Sequence, residues 1–222
     1  MRPEGARAVR PRNAATLFII RRDGPKPRVL MGKRNAGHDF MPNLWVFPGG
    51  RIDPSDYRAP YATDLRQETA AKFEAHMRPS KARALGLAAI RETFEEAGLL
   101  LAKAAPPRPA AGGWREFLAQ GAMADLEALT IIYRAVTPPV LAKRFDTWFL
   151  MADAERLISL ERQPDCGELE EIAWFEFEAA EELNLPMVTR SVIKEAQARL
   201  EEPNRPIPYM RFSTGVTKPR VL

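Results

Sequence analysis

LGLAAIRETFEEAGLLL, residues 85–101, is the stretch on which the fold turns. At about 3.6 residues per turn, Leu87, Ile90, Phe94 and Ala97 fall on one side of a helix. Glu92, Glu95 and Glu96 fall on the opposite side, spaced i, i+3 and i+4, so their carboxylates are expected to converge. Arg91 precedes Glu95 by one turn and is placed to hold a carboxylate by a charge-assisted hydrogen bond. Gly98 supplies a left-handed residue that stops the helix. One face is built for burial, the other for oxygen ligands. A solvated acidic face is the competing reading, because exposed like charges one turn apart cost only about 0.2–0.5 kcal/mol per pair. Three hard carboxylates on one face equally suit Mg²⁺, which also takes phosphate oxygens.

A second stretch bears on that choice. Phe47-Pro48-Gly49-Gly50-Arg51-Ile52-Asp53 is a glycine turn followed by acids. Together with Arg91-Glu92-Thr93-Phe94-Glu95-Glu96-Ala97-Gly98-Leu99 it resembles the two halves of the Nudix box, with Thr93 the one weak match. The halves lie far apart. Gly50 to Arg91 is 91 − 50 = 41 positions, about 27 more than the family spacing. Asp53 and Asp56 stand where Nudix proteins commonly carry glutamates, whereas the position eight before Arg91 is Arg83. A split box of this kind resembles the branch of Nudix hydrolases that includes the peroxisomal coenzyme A diphosphatases. Thr137-Pro138-Pro139 with Arg144-Phe145-Asp146-Thr147 is similar to the same branch.

The resemblance implies an α/β fold, a Nudix-type α/β/α sandwich with a mixed sheet, with the acidic helix at one edge. It implies one domain over residues 1–222, with residues 54–84 inserted in the box. It also implies hydrolysis of the diphosphate linkage of a nucleoside diphosphate derivative, CoA or an acyl-CoA first. ADP-ribose, nucleotide sugars and modified nucleoside triphosphates are the alternative substrates, and a non-catalytic nucleotide sensor is the third class. Mg²⁺ or Mn²⁺ is the implied cofactor, with Glu92, Glu95 and Glu96 as ligands. Arg91 would orient a carboxylate, and Gly49 and Gly50 would set the acidic helix against the diphosphate. Glu92 and Glu168 both qualify as general base, the latter from its distance to Trp174 in the acidic loop. Arg51 and Arg144 are the candidate phosphate contacts, with ion pairs to Asp53 and Asp146 as the competing assignment.

The rest of the chain constrains these expectations from outside. With 222 residues, 45% of them hydrophobic and 28% charged, it can bury one sizeable core. A net charge of +4 suits a polyanionic small substrate and does not call for a nucleic-acid partner. One cysteine, Cys166, excludes an internal disulfide framework and is compatible with a reducing compartment. No run reaches the 18 or so apolar residues of a membrane span, so no membrane partner is expected and the cytoplasm is the default location. Residues 1–12, rich in arginine and proline, read as a flexible arm.

Strands are expected over Ala14–Arg21 and Arg28–Arg34, separated by Asp23-Gly24-Pro25, and again over Asn43–Phe47, 144–150 and 166–175, with the apolar stretch 128–136 leading to Thr137-Pro138-Pro139. Trp45 and Phe47 read as sheet packing. His38 sits in a loop where an incidental hydrogen bond suffices. Helices are expected over Thr63–Arg78, Trp114–Gln120, Ala179–Leu183 and Pro186–Leu200, and Lys103–Gly113 reads as a Pro/Ala/Gly loop prone to disorder. The insertion would cover the site, shape the pocket, or build a homodimer contact.

Overall fold

The computed structural model describes residues 9–37, 42–139, 141–162, 169–211 and 220–222. Its first strand, β1 (Arg12–Arg21), sets the architecture. Side chains alternate along a strand, and here both faces are apolar. Ala15, Leu17 and Ile19 enter one hydrophobic cluster, while Phe18 and Ile20 enter another. A strand buried on both faces must have layers above and below it, and that is the sandwich the box resemblance implied.

Along the chain follow β2 (Arg28–Arg34), β3 (Trp45–Val46), β4 (Gly49–Arg51), a single 3₁₀ turn (Pro54–Tyr57), β5 (Tyr61–Thr63), α1 (Gln67–Glu74) and α2 (Pro79–Ala97). Then come β6 (Ala102–Ala104), α3 (Trp114–Ala119), β7 (Ala122–Asp125), β8 (Thr130–Val136) and β9 (Phe145–Asp153). The chain closes with β10 (Leu169–Glu176), α4 (Phe177–Glu181), α5 (Met187–Glu201), β11 (Pro208–Arg211) and β12 (Arg220–Val221). The main sheet runs β10-β2-β1-β9-β8-β11-β12, with β3 on β2 and β4 on β1. It is mixed: β1 runs parallel to β9 and β8 parallel to β11, while the other pairs are antiparallel.

Two features of β1 make room for a site. Its pairing with β2 covers Ile20 and Arg21, whereas Ala14, Ala15 and Thr16 pair with β4. One edge of the strand is therefore shared by two partners, and the chain from β3 to β4 bridges the split.

Helix α2 corrects three expectations. It begins at Pro79, so the last residues assigned to the insertion are its first turns. Thirteen of its nineteen residues are buried, including Arg91, Thr93 and Glu96, so it is a central element and not a surface helix with one apolar stripe. It also packs across β1 and β4, with lesser contact to β9 and β10, and not at the edge of the sheet. Its end is as expected: Gly98 has φ 67° and its N–H reaches Phe94 O at 2.8 Å. Arg162 Nε caps a further carbonyl, Ala97 O, at 2.9 Å.

The inserted residues are core as well. Phe73 of α1 is fully buried with its ring 4.9 Å from that of Trp148, and Thr69 donates to Leu129 O at 3.0 Å. Helix α1 is shorter than the helix expected over Thr63–Arg78, because Tyr61–Thr63 is extended. β5, β7 and β6 form a second, three-stranded sheet that sequence reading did not find. Lys103 and Ala104 lie in β6 and not in the loop expected from residue 103 onward. The arm expected over residues 1–12 yields Arg12 to β1. On the opposite layer α5 packs through Val192, Ile193 and Ala196, as read, with Pro186 as its N-cap. Among the described residues, no helix is long and apolar enough to cross a membrane.

Candidate active site

Arg91 is the hub on which the site is assembled. The residue is 5% exposed, and its guanidinium bonds four partners. Nε and Nη2 meet the carboxylate of Asp56 at 2.9 and 3.1 Å, Nη1 meets Glu92 at 3.0 Å and Glu95 at 2.7 Å, and Nη2 also donates to Arg51 O at 3.1 Å. Burial alone would lower its pKa, but the hydrogen bond it donates to Asp56 and the charges of Glu92, Asp56 and Glu95 raise it above the ordinary arginine value. Arg91 is a fixed cation joining helix, glycine turn and insertion.

Of the two acids after the glycine turn, Asp56 is the one bonded to Arg91. It has no exposed surface, accepts from the Trp114 indole at 2.9 Å as well as from Arg91, and takes the Asp53 N–H at 2.7 Å. Asp53 instead caps the 3₁₀ turn through Ser55. Asp56 lies six residues after Gly50, a short-range signal in the sequence, but its partnership with Trp114 had none.

The glycine turn lets carboxylates through. Gly49 N–H donates to Glu96 Oε2 at 2.8 Å. A Cβ at Gly50 would stand 2.3 Å from the Glu92 carboxylate, so no other residue fits there without moving it. Glu92 and Glu96, from a helix on one layer, thus reach a cleft of about 810 Å³ that opens over the sheet. Its floor includes Ala14, Thr16, Thr147 and Phe149, and its walls come from Leu44, Val46 and Phe47, from residues 141–144, and from the start of α5. Burial raises the Glu92 pKa, helped by Glu95 and Asp56 and opposed by Arg91.

Two of the three helix glutamates, Glu92 and Glu95, meet at Arg91 Nη1, and Glu96 accepts from the Gly49 N–H. Glu92 and Glu96 line the cleft; Glu95 leans to Arg91 and lies against Gly113. Among the described residues no group of three or more His, Cys, Asp or Glu side chains is arranged to hold a metal ion. The donor chemistry nonetheless fits a divalent cation: three carboxylates (Asp56, Glu92, Glu95) surround one guanidinium, −3 + 1 = −2, and Glu96 adds a fourth on the Gly49 N–H. Hard anionic oxygens in excess, partly withdrawn from water, call for cations.

Of the other expected residues, Gly49, Gly50, Arg51 and Arg144 line the cleft with the glutamates. Arg144 does not pair with Asp146, which is held by Arg134 at 2.9 and 2.8 Å. Its guanidinium donates to Val9 O at 2.7 Å and Thr137 O at 3.1 Å. Arg12, unmarked in the sequence, also lines the cleft. Glu168, His38 and Cys166 lie outside the described residues. Thr93 is fully buried, and its hydroxyl donates to Ala89 O at 2.8 Å, so a polar side chain sits at an apolar position without an unpaired group. Phe47 packs on Phe18, and Trp45 lies edge-on to Phe175.

No protein-family model matches the chain. The Caenorhabditis elegans protein named nudix hydrolase 7 is 35% identical over 117 residues, 53% of this chain; the match spans 29% of that relative's length. A crystal structure of a Nudix hydrolase from Alicyclobacillus acidocaldarius is 29% identical, with 83% of this chain and 90% of that one covered and a TM-score of 0.59. The Nudix domain of Shewanella oneidensis NrtR, solved with ADP-ribose, shares the fold at 15% identity and a TM-score of 0.50, over 90% of this chain and 94% of that one.

Proposed function

We infer that this chain, a Nudix hydrolase by its fold and its split box, cleaves the diphosphate linkage of a nucleoside diphosphate derivative, CoA or an acyl-CoA before others. The observation that carries the reading is Glu92 and Glu96 emerging past Gly49–Gly50 into the cleft. The cleft's charge supports it. Arg12, Arg34, Arg51, Lys143 and Arg144 face two carboxylates, 5 − 2 = +3, which suits a substrate with more negative charge than a bare diphosphate.

Glu92 and Glu96, with Glu95 beside them, are the residues that would hold Mg²⁺ or Mn²⁺. Bound cations of this kind neutralise a diphosphate and lower the pKa of a water. The chain's own part is positional. Arg91 orients Glu92 and Glu95, and Gly49 N–H fixes Glu96. Arg51 and Arg12 attract the phosphates at the mouth of the cleft. Water adds to a phosphorus, the bond to the bridging oxygen breaks, and the proton passes to a carboxylate, Glu92 or Glu168. The apolar walls near Leu44, Phe47 and Val188 would take the uncharged part of the substrate.

The test is a screen of CoA, acyl-CoA, ADP-ribose, NADH and nucleoside triphosphates with Mg²⁺ or Mn²⁺. Turnover of CoA that disappears in Glu96→Gln is expected. Turnover of ADP-ribose or a triphosphate in its place would move the substrate assignment. Nucleotide binding without any turnover would mark the chain as a sensor.

A further inference from the structure

The loop before α3 closes directly on the acidic helix. Its last residue, Gly113, has ordinary helical backbone angles, φ −61° and ψ −16°, so no conformational demand requires glycine there. Space does. A Cβ on Gly113 would stand 2.0 Å from Glu95 Oε1, 3.2 Å from its carboxyl carbon and 2.8 Å from Arg91 Cδ. Trp114, the next residue, is 1% exposed and tied to buried Asp56, so the loop is anchored immediately behind the contact and has little freedom to back away.

The neighbours differ in what they can yield. Arg91 is pinned by Asp56, Glu92 and the carbonyl of Arg51. The Glu95 carboxylate is the end of a flexible side chain, 36% exposed. A side chain added at residue 113 would therefore shift chiefly Glu95, at 2.0 Å, while the pinned Arg91, whose Cδ is met at 2.8 Å, yields less. We propose that Gly113 is a positioning residue: by lacking a side chain it lets the anchored loop bear on Glu95 and set where that carboxylate stands relative to Glu92 and Glu96. The role rests on the reading of Glu95 as a ligand for a divalent cation.

The test is Mn²⁺ binding, followed by the electron paramagnetic resonance signal of the free ion, in wild type, Gly113→Ala, Glu95→Ala and the double variant. Gly113→Ala is expected to weaken Mn²⁺ binding at least tenfold, with the unfolding midpoint within a few degrees of wild type. In the Glu95→Ala background the same change should weaken binding no further, because the carboxylate it displaces is gone and only the Arg91 Cδ contact at 2.8 Å remains. Equal affinity in wild type and Gly113→Ala, or an equal loss in both backgrounds, would overturn the proposal. If Gly113→Ala fails to fold, the double variant decides: a folded double variant supports the collision with Glu95, and an unfolded one sinks it. A wild-type chain that binds no Mn²⁺ would instead remove the cation reading, and this role with it.

Discussion

Asp56 and Glu96 are both buried acids, and the structure assigns them opposite burdens. Asp56 is enclosed and bonded to Arg91, Trp114 and the Asp53 backbone, with no face toward the cleft. Removing one partner of a buried pair strands the other, so Asp56→Ala should cost about 3–5 kcal/mol, read as a lower midpoint in urea unfolding. A midpoint unchanged from wild type would mean that Arg91 is held adequately by its other partners. Glu96→Gln keeps an oxygen for the Gly49 N–H, so its midpoint should stay close to wild type while turnover falls by orders of magnitude. Near-normal turnover would remove Glu96 from the cation-binding face. The sequence made the glutamates, the glycines and Arg91 legible, because local spacing on one helix and one turn encodes them. It did not reveal that Glu95 lies against Gly113, 18 positions later (113 − 95), and is not among the residues lining the cleft. Nor did it settle Asp56, whose partner Arg91 lies 35 residues away.

The inserted segment is the element whose role the sequence left open, and packing decides it. Strand β5 pairs with β7, Phe73 is sealed against Trp148, and the residues from 79 onward begin the acidic helix itself. Excising residues between Asp56 and Leu85 would delete that start and uncover Trp148. The trimmed chain is therefore expected to aggregate or unfold; a soluble trimmed chain with a cooperative transition would refute this. Phe73→Ala alone should cost about 3–5 kcal/mol. His76, just after α1, adds a pH signature. Burial chiefly, and the nearby charge of Arg134, lower its pKa below 6.5, against a smaller opposing effect of Asp146. With the folded value depressed, the unfolded chain binds more protons on acidification, so this contribution is present above pH 6.5 and lost as pH falls through it. His76→Gln should flatten the decline of the melting temperature between about pH 7 and pH 5, and an unaltered slope would show that His76 titrates as freely as in the unfolded chain. Helix periodicity revealed that a helix was present here. Its burial depends on β8 and β9, more than fifty residues downstream, which no local pattern records.

Across the whole molecule the mild excess of basic residues resolves into a location. The net charge of +4 says little by itself, but five cations against two carboxylates in one cleft say where a polyanion would settle. The five are not equivalent. Arg144 is held by two backbone carbonyls and braces the segment from Thr137 to Phe145 against the residues before β1. Arg12 and Arg51 lie on neighbouring strands, since Arg51 pairs with Ala14, and neither forms an ion pair with a carboxylate among the described residues. Two guanidinium groups at diagonal positions of an antiparallel pair stand roughly 7–8 Å apart at their roots, a span that one phosphate can bridge. Arg12→Gln and Arg51→Gln should each raise KM severalfold with little change in kcat and in melting temperature. The increase should shrink as salt is added, because screening already weakens the interaction being removed. Arg144→Gln should behave differently, lowering the melting temperature and affecting CoA and dephospho-CoA alike, as a brace would. A selective loss on CoA in Arg144→Gln, with none in the other two, would instead assign phosphate recognition to Arg144.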